Sequence, residues 1–297
     1  MTPATDPGVL RFAIPKGRMY DGVASLLSAA GLGVRVSSRN YRPALPLDDF
    51  EVKILKPRAI IEMLALGARD LGFAGADWVA EDGAELVELL DTGLDRVRLV
   101  AAAPRDLLVN GTLPDRPLVV ASEYEELTMR WIARRGIDAT LLHSYGATEV
   151  LPPEDADCIV DNTATGSTLA ANSLEIIDEL MVSSTKLYAS PAAMSDAGKR
   201  ERIETFAMLV GSVLEARSRV MLELNVSADR LESVVAALPC MREPTVAPLH
   251  GDGGYAVKAA VRRADLPGII PTIRGAGGTD IVVTQPEQIV GMIPGRS

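Results

Sequence analysis

Through its first two thirds the chain alternates short apolar runs with stretches whose apolar residues recur at helical spacing, and that alternation predicts an α/β fold. Leu10 to Ile14 is the first run. It breaks at Pro15-Lys16-Gly17-Arg18, after which Val23, Leu26, Leu27 and Ala30 share one helical face, with Asp21 as cap and Gly31 as stop. The arrangement repeats with Val52 to Leu55 as strand, Pro57 at a helix start, Ile60, Ile61, Leu64 and Ala65 as the buried stripe, and Gly67 as stop. Leu71 to Gly75 then reads as a buried strand ending in a glycine turn, with Asp77 where a helix begins. Further strands are predicted at Val97 to Ala102, Pro117 to Ala121, Ala139 to Leu142 and Cys158 to Val160.

A helix over Lys199 to Arg217, with Ile203, Phe206, Ala207, Val210 and Val213 on its apolar face, links this region to one of different character. Strands at Val220 to Leu224, Thr245 to Leu249, Tyr255 to Val261 and Ile281 to Val283 enclose helices at Ala228 to Leu238 and Leu266 to Arg274. The order βαββαβ predicts a ferredoxin-like domain.

Composition narrows the function classes. Thirty basic against forty acidic residues leave a net charge of −10, and aromatic residues make up 4%, so neither phosphate-backbone affinity nor base stacking is favoured. No apolar run reaches the ~18 residues of a membrane span, and Met1 to Val9 lacks the cations and apolar stretch of a leader, so a cytoplasmic location is expected. Cys158 and Cys240, with only His143 and His250 beside them, match no zinc spacing and read as reduced thiols. Trp78 and Trp131 fall in helical stretches and read as packing residues. Gly275 to Gly278 follows a helix instead of a strand, which excludes a dinucleotide loop.

The segment Asp157 to Leu169 carries the chemistry. An apolar strand ends in Asp161, and Thr165-Gly166-Ser167-Thr168 opens a helix. Backbone N–H groups and hydroxyls at such a turn suit a dianionic phosphate, glycine permits close approach, and an acid four residues upstream suits sugar hydroxyls. Strand, acid and turn together are what a phosphoribosyl pyrophosphate site requires, although Thr-Gly-Ser-Thr alone is also an ordinary helix cap.

Six motifs in order resemble one family. Pro15 to Arg18 is similar to its N-terminal motif, Asp70 to Asp77 with Glu81 to its "DLGITGxD" segment, and Arg96 to Val100 to its "CRLV" strand. Tyr124 with Leu127-Thr128 is similar to its "YPNLT" turn, Glu149-Val150 to its "EV", and Asp161 with Thr165 to Thr168 to its phosphoribosyl pyrophosphate loop. The family is ATP phosphoribosyltransferase of histidine biosynthesis, in its long form. The resemblance implies a two-lobed catalytic part similar to a periplasmic binding protein, followed by a ferredoxin-like regulatory domain that binds histidine. Lobe I would comprise residues 1–92 with about 183–216, lobe II residues 93–182, and the regulatory domain residues 217–297.

By the same resemblance Glu149, Asp161, Thr165, Gly166, Ser167 and Thr168 bind phosphoribosyl pyrophosphate, and Lys16, Arg18, Lys56, Gly75 and Asp77 bind ATP. Asn225, Thr245, Gly278 and Thr279 bind histidine. Mg²⁺ is expected on the substrate pyrophosphate, with Glu149 or Asp161 as protein contacts. A homo-oligomer, dimer and hexamer, is implied, with no separate regulatory subunit, nucleic acid or membrane as partner. Two stretches depart from the family: Lys56-Pro57-Arg58-Ala59-Ile60-Ile61 stands where "RPxDIP" is usual, and Leu151 to Ile159 replaces "APxxGLADAI". Asn225 stands where one branch carries an acid. Rival readings are a salvage phosphoribosyltransferase, which usually has two adjacent acids where this chain has Asp161-Asn162, and a binding or regulatory relative without catalysis.

Overall fold

In a computed structural model, residues 8–35, 42–241, 243–251 and 253–291 are described; the N-terminal stretch before Gly8 lies outside them. The chain forms two compact units. One takes the described residues up to Ser25 with those of Leu32–Ala207, the other Leu26–Gly31 with the described residues from Met208 onward.

The elements follow in the order β1 (Leu10–Pro15), α1 (Arg18–Ala29), β2 (Phe50–Leu55), α2 (Pro57–Ala65), β3 (Leu71–Gly75), α3 (Ala76–Glu81) and β4 (Val87–Pro104). Then come β5 (Leu118–Ser122), α4 (Glu125–Arg135), β6 (Ala139–His143), β7 (Cys158–Thr163), α5 (Ser167–Ala171), β8 (Leu174–Ala189), α6 (Pro191–Ser195) and α7 (Ala197–Ser218). The larger unit holds one eight-stranded sheet in the order β2-β1-β3-β8-β4-β7-β5-β6.

Two parallel sets, β2-β1-β3 and β7-β5-β6, flank the antiparallel pair β8-β4. Both β3 and β7 run antiparallel to their neighbour in that pair, so the two sets point in opposite directions along the sheet. The last residue of β3, Gly75, pairs with Thr185, while the last of β7, Thr163, pairs with Arg98. Because Leu94 pairs with Thr185 and Val97 with Ser183, both sets end at the middle of the long strands. Carboxyl ends of parallel strands are where α/β folds hold ligands.

Apolar strands bury as their pattern requires. Every residue of β3 is buried, and Phe12 packs edge-on against Phe50, Phe73 and Phe206, contacts worth about 0.5–1.5 kcal/mol each beyond burial. At the opposite end of β3, Asp70 is buried and takes Arg11 and Lys199. Burial alone would raise its carboxyl; the two cations hold it below the usual range. The first acid of the "DLG" motif is thus an internal anchor.

Three details differ from the sequence reading. Asp21 lies inside the first turn of α1, because Gly17, in the left-handed region at φ 78°, already turns the chain into a helix starting at Arg18. Ala65 is exposed, since the stripe of α2 closes with Leu64. No strand was expected over Leu174–Ala189, where Glu175, Asp178 and Glu179 break the apolar run; Glu175 and Glu179 are exposed, Asp178 is half-buried, and the strand becomes mostly buried only from Ser183.

The second unit contains β9 (Arg219–Val226), α8 (Leu231–Ala236), β10 (Thr245–Pro248), β11 (Tyr255–Arg262), α9 (Leu266–Gly275) and β12 (Thr279–Thr284). Its antiparallel sheet has the order β10-β11-β9-β12, the arrangement expected of βαββαβ. The helix predicted from Ala228 begins as a 3₁₀ turn, Ala228–Arg230, before α8. Alternate residues of β9, Val220, Leu222, Leu224 and Val226, enter a core shared with Val234, Val257, Val261 and Ile273.

Candidate active site

Lys16 follows β1 and is held by its N–H to the Leu55 carbonyl at 2.8 Å. Gly17 reverses the chain, and Arg18 opens α1. Both cations are exposed, carry no ion pair among the described residues, and line a cleft of about 210 Å³ at the middle of the long strands. Gly75 and Asp77 line the same cleft, joined by Trp78, Asp95, Asn162 and Ser183 to Thr185. Lys56, Glu149, Asp161 and Thr165 to Thr168 lie outside that lining.

Asp77 does not cap α3 with its side chain. Its Oδ1 accepts from Ser183 Oγ at 2.8 Å and its Oδ2 from the Tyr124 hydroxyl at 2.7 Å, and that hydroxyl in turn accepts from Asn162 Nδ2 at 3.0 Å. Both oxygens of a buried carboxylate are therefore committed to protein. Burial and then the Asp77 charge push the Tyr124 phenol far above its ordinary value, so it stays a donor. One turn on, Glu81 accepts the N–H groups of Glu126 and Leu127 at 3.0 Å each, which caps α4. Trp78 stacks on Tyr124 with centroids 4.5 Å apart. The acids of the "DLG" segment thus tie α3 to β7, β8 and α4 and fix the cleft wall.

Beyond β7, Thr163 Oγ1 accepts from Gly166 N–H at 2.9 Å, and the Thr165 and Ser167 hydroxyls meet at 2.9 Å. Gly166 sits at φ 82°, a left-handed conformation that a β-carbon disfavours. The turn is preformed by its own hydrogen bonds, with Ser167 and Thr168 exposed at the start of α5. Asp161 is half-buried and its Oδ1 accepts from the Asn162 N–H at 2.7 Å. Burial, reinforced by the charges of Glu149 and Glu123, pushes its carboxyl up to about 6. Glu149 projects from a 3₁₀ turn, Thr148–Val150, pinned by the buried pair Ser144 Oγ and Thr148 Oγ1 at 2.7 Å.

In the smaller unit Asn225 pairs with Thr279 across β9 and β12, and Asn225 Nδ2 donates to Asp280 Oδ2 at 3.1 Å. Gly278 is buried; a β-carbon there would lie 2.5 Å from Ile273 Cγ2. Thr245 lies on β10, three strands from β12, about 14 Å at ordinary strand spacing. The structure gathers Asn225, Gly278 and Thr279, and leaves Thr245 apart.

Comparison with known proteins adds the deciding observation. Residues 56–211 match the family described as ATP phosphoribosyltransferase, and residues 216–288 match the family described as HisG, C-terminal domain. The ATP phosphoribosyltransferase of Chlorobium phaeobacteroides is 34% identical over 278 residues, covering 92% of this chain and 95% of the relative. That of Pelotomaculum thermopropionicum is also 34% identical, over 92% of this chain and 96% of its own. The chain belongs to the ATP phosphoribosyltransferase family. A solved structure of the ATP phosphoribosyl transferase (HisG:HisZ) complex from Thermotoga maritima contains a chain 28% identical to this one, with a TM-score of 0.62. It covers 70% of this chain and 99% of that one.

Within the family motif, Lys56 stands in place of arginine at the residue before α2, exposed and without an ion pair among the described residues. Arg58 does not replace it. Its Nη2 bonds Asp82 Oδ1 at 2.9 Å and its guanidinium lies 4.6 Å from the Trp78 ring centroid. Arg58→Gln is therefore expected to change kcat/KM for ATP by less than about threefold, whereas Lys56→Ala raises KM for ATP about tenfold, equivalent to 1.4 kcal/mol. Steady-state kinetics with each variant checks both.

Several residues of the cleft were not legible as site residues in an ATP phosphoribosyltransferase sequence. Tyr124, outside the lining but bonded to Asp77, stood in a motif without a role; Asn162 was visible only as the neighbour of Asp161, and Ser183 to Thr185 fell in the stretch with no predicted strand. Asp95, held by Thr185 Oγ1 at 2.7 Å, had no signal at all.

Proposed function

We propose that this chain transfers the phosphoribosyl group of phosphoribosyl pyrophosphate to N1 of the adenine of ATP, releasing pyrophosphate, in the first step of histidine biosynthesis. The observation that carries the reading is a cleft with two unpaired cations, Lys16 and Arg18, at the strand ends of a chain that belongs to this family. N1 has a lone pair at neutral pH, so the bond to C1 forms as the bond from C1 to the pyrophosphate oxygen breaks, without a strong base. Positioning and charge relief do the work.

Lys16, Arg18 and Lys56 bind the ATP polyphosphate, and the backbone of Gly75 approaches it closely. Asp77 positions the wall through Tyr124 and Asn162. Glu149 and Asp161 accept hydrogen bonds from ribose hydroxyls, and Thr165 to Thr168 hold the 5-phosphate. The preformed turn at Gly166 and the inward placement of Asp161 support these roles. We assign residues 1–92 with about 183–216 to one lobe, 93–182 to the other and 217–297 to the regulatory domain; the meeting of both strand sets at the middle of β4 and β8 supports the division.

Members of the family are metal-dependent, and we take the ion to be Mg²⁺. No cluster of three His, Cys, Asp or Glu suited to a metal occurs among the described residues, while Asp161, Glu149 and Glu123 crowd enough negative charge to favour a cation brought by the substrate. When bound, Mg²⁺ offsets charge on the departing pyrophosphate; Glu149 or Asp161 would hold it.

The regulatory reading is that histidine inhibits through the C-terminal unit, in a dimer that becomes a hexamer, without a second regulatory protein. The Thermotoga maritima chain, taken from a two-protein complex, leaves 30% of this one unmatched, which supports regulation in cis. No helix among the described residues is long and apolar enough to cross a membrane. We place the enzyme in the cytoplasm, where its nucleotide substrates are made.

Near-ultraviolet absorbance with ATP, phosphoribosyl pyrophosphate, Mg²⁺ and pyrophosphatase tests the reading. Product is expected only with both substrates. Absence of product when both substrates bind would reassign the chain to a non-catalytic relative.

A further inference from the structure

We propose that Asp95 is a specificity-determining residue of the cleft: its free carboxylate oxygen accepts a hydrogen bond from the 6-amino group of the adenine of ATP. The proposal deepens the function proposed above and rests on it. Asp77 and Asp95 are the acids that line the cleft. Both oxygens of Asp77 are taken by Ser183 and Tyr124, whereas Asp95 is engaged only through Oδ2, which accepts from Thr185 Oγ1 at 2.7 Å. Its Oδ1 has no partner among the described residues, and neither Lys16 nor Arg18 of the same lining forms an ion pair with it.

The backbone holds this acid in the cleft. Leu94 pairs with Thr185 and Val97 with Ser183, so Asp95 and Arg96 together face Ser184 in a β-bulge, which redirects a side chain from the sheet. Asp95 takes the left-handed position at φ 49°, where glycine would fit without steric cost. The bulge is fixed from two sides. Thr92 Oγ1 accepts from the Leu94 N–H at 3.2 Å and donates to the Thr185 carbonyl at 2.5 Å, and Leu94 packs over Gly22, where a β-carbon would lie 3.5 Å from its Cδ1. Gly22 stands one turn beyond Arg18 on the same face of α1, so the packing that seats the acid also seats the cation.

Charge selects the part of the ligand that meets Asp95. A polyphosphate is repelled by a carboxylate and drawn to Lys16 and Arg18, which leaves Asp95 for an uncharged donor. The donors of ATP are its 6-amino group and its ribose hydroxyls. Val97, buried and two residues along β4, lines the cleft with Met19 and Trp78, and these apolar surfaces suit the flat face of a purine better than a sugar. A carboxylate only accepts, so a 6-amino group pairs with it and a 6-oxo group meets it lone pair to lone pair.

Calorimetry on the full chain with ATP, inosine triphosphate, which carries a 6-oxo group, and 2′-deoxy-ATP tests the assignment. The wild-type chain is expected to bind ATP at least about tenfold more tightly than inosine triphosphate. Asp95→Asn, which tolerates the left-handed position and can donate to an oxo group, is expected to bind inosine triphosphate about tenfold more tightly than wild type does, and ATP more weakly. Asp95→Gly, which adopts that position freely, is expected to lose the preference for ATP. In both variants the ratio of ATP to 2′-deoxy-ATP affinity stays at its wild-type value. A wild-type chain that does not distinguish ATP from inosine triphosphate, a preference kept in both variants, an equal loss for all three nucleotides, or a change confined to 2′-deoxy-ATP overturns the proposal and leaves the transferase reading standing. A wild-type chain that binds no ATP overturns both together.

Discussion

Asp161→Asn is expected to lower kcat/KM by about 10²–10³-fold and, at the same time, to raise Tm at pH 8. The activity loss follows from removing the acid that faces the ribose hydroxyls in the proposed site. The stability gain follows from its environment, in which burial and the charges of Glu149 and Glu123 push the carboxyl up to about 6, from an ordinary value of 3.8. Between those values the folded protein keeps a proton that the unfolded chain has released. Stability therefore declines as pH rises through this interval, and the penalty persists above it. Asparagine carries no such penalty, so the variant gains over wild type at pH 8 and not below the unfolded value. Scanning calorimetry at both ends of the range, with initial rates from pH 5 to 8, separates the two effects. Wild-type kcat/KM should fall as pH drops through about 6. An unchanged Tm difference across pH would show that Asp161 is not held under electrostatic strain.

Asp77→Ala is expected to cost about 3–5 kcal/mol, because a buried acceptor of hydrogen bonds from Ser183 and Tyr124 disappears and leaves both hydroxyls without it. For a unit of this size that corresponds to a fall in Tm on the order of 10 °C. Asp77→Asn, which keeps one carbonyl oxygen and the side-chain volume, should lose less than half as much. A direct contact to ATP makes the opposite forecast: Tm unchanged in both variants and KM for ATP raised in both. Thermal unfolding beside substrate kinetics decides between a wall-fixing and a ligand-touching role.

The buried strands of the larger unit announced themselves because burial on two faces demands continuous apolar runs, as in Leu71 to Gly75, and its first helices because Gly31 and Gly67 end them at positive φ. The βαββαβ order was legible for a different reason: a sheet that buries one face leaves alternate apolar residues, as Val220, Leu222, Leu224 and Val226 do in β9. Leu174–Ala189 was hidden because residues 175–182 are none of them fully buried and carry acids at positions that spoil the apolar count. The turn at Gly166 was readable as a local pattern, since strand, acid and glycine are contiguous. The cleft was not, since Lys16, Asp77, Asn162 and Ser183 meet only when strands far apart in sequence end at one place. Asp77 shows the limit most directly. Its motif marked it as important, but its partners lie 47 and 106 residues away, and only they distinguish an anchor from a ligand contact.

Strand β8 is laid down late and completes the first sheet. Its closing residues pair with Leu71 to Gly75, about a hundred positions earlier, so a nascent chain emerging from the ribosome carries β1, β2 and β3 with an open edge until residue 189 has been made. Sequence-distant pairing of this kind slows folding. The amino-terminal ninety residues are for that reason not a separable module: excised alone, they would present β3 as a bare apolar template. Protein engineers who wish to graft or swap this half would have to carry the returning strand with it, or join the two segments by circular permutation.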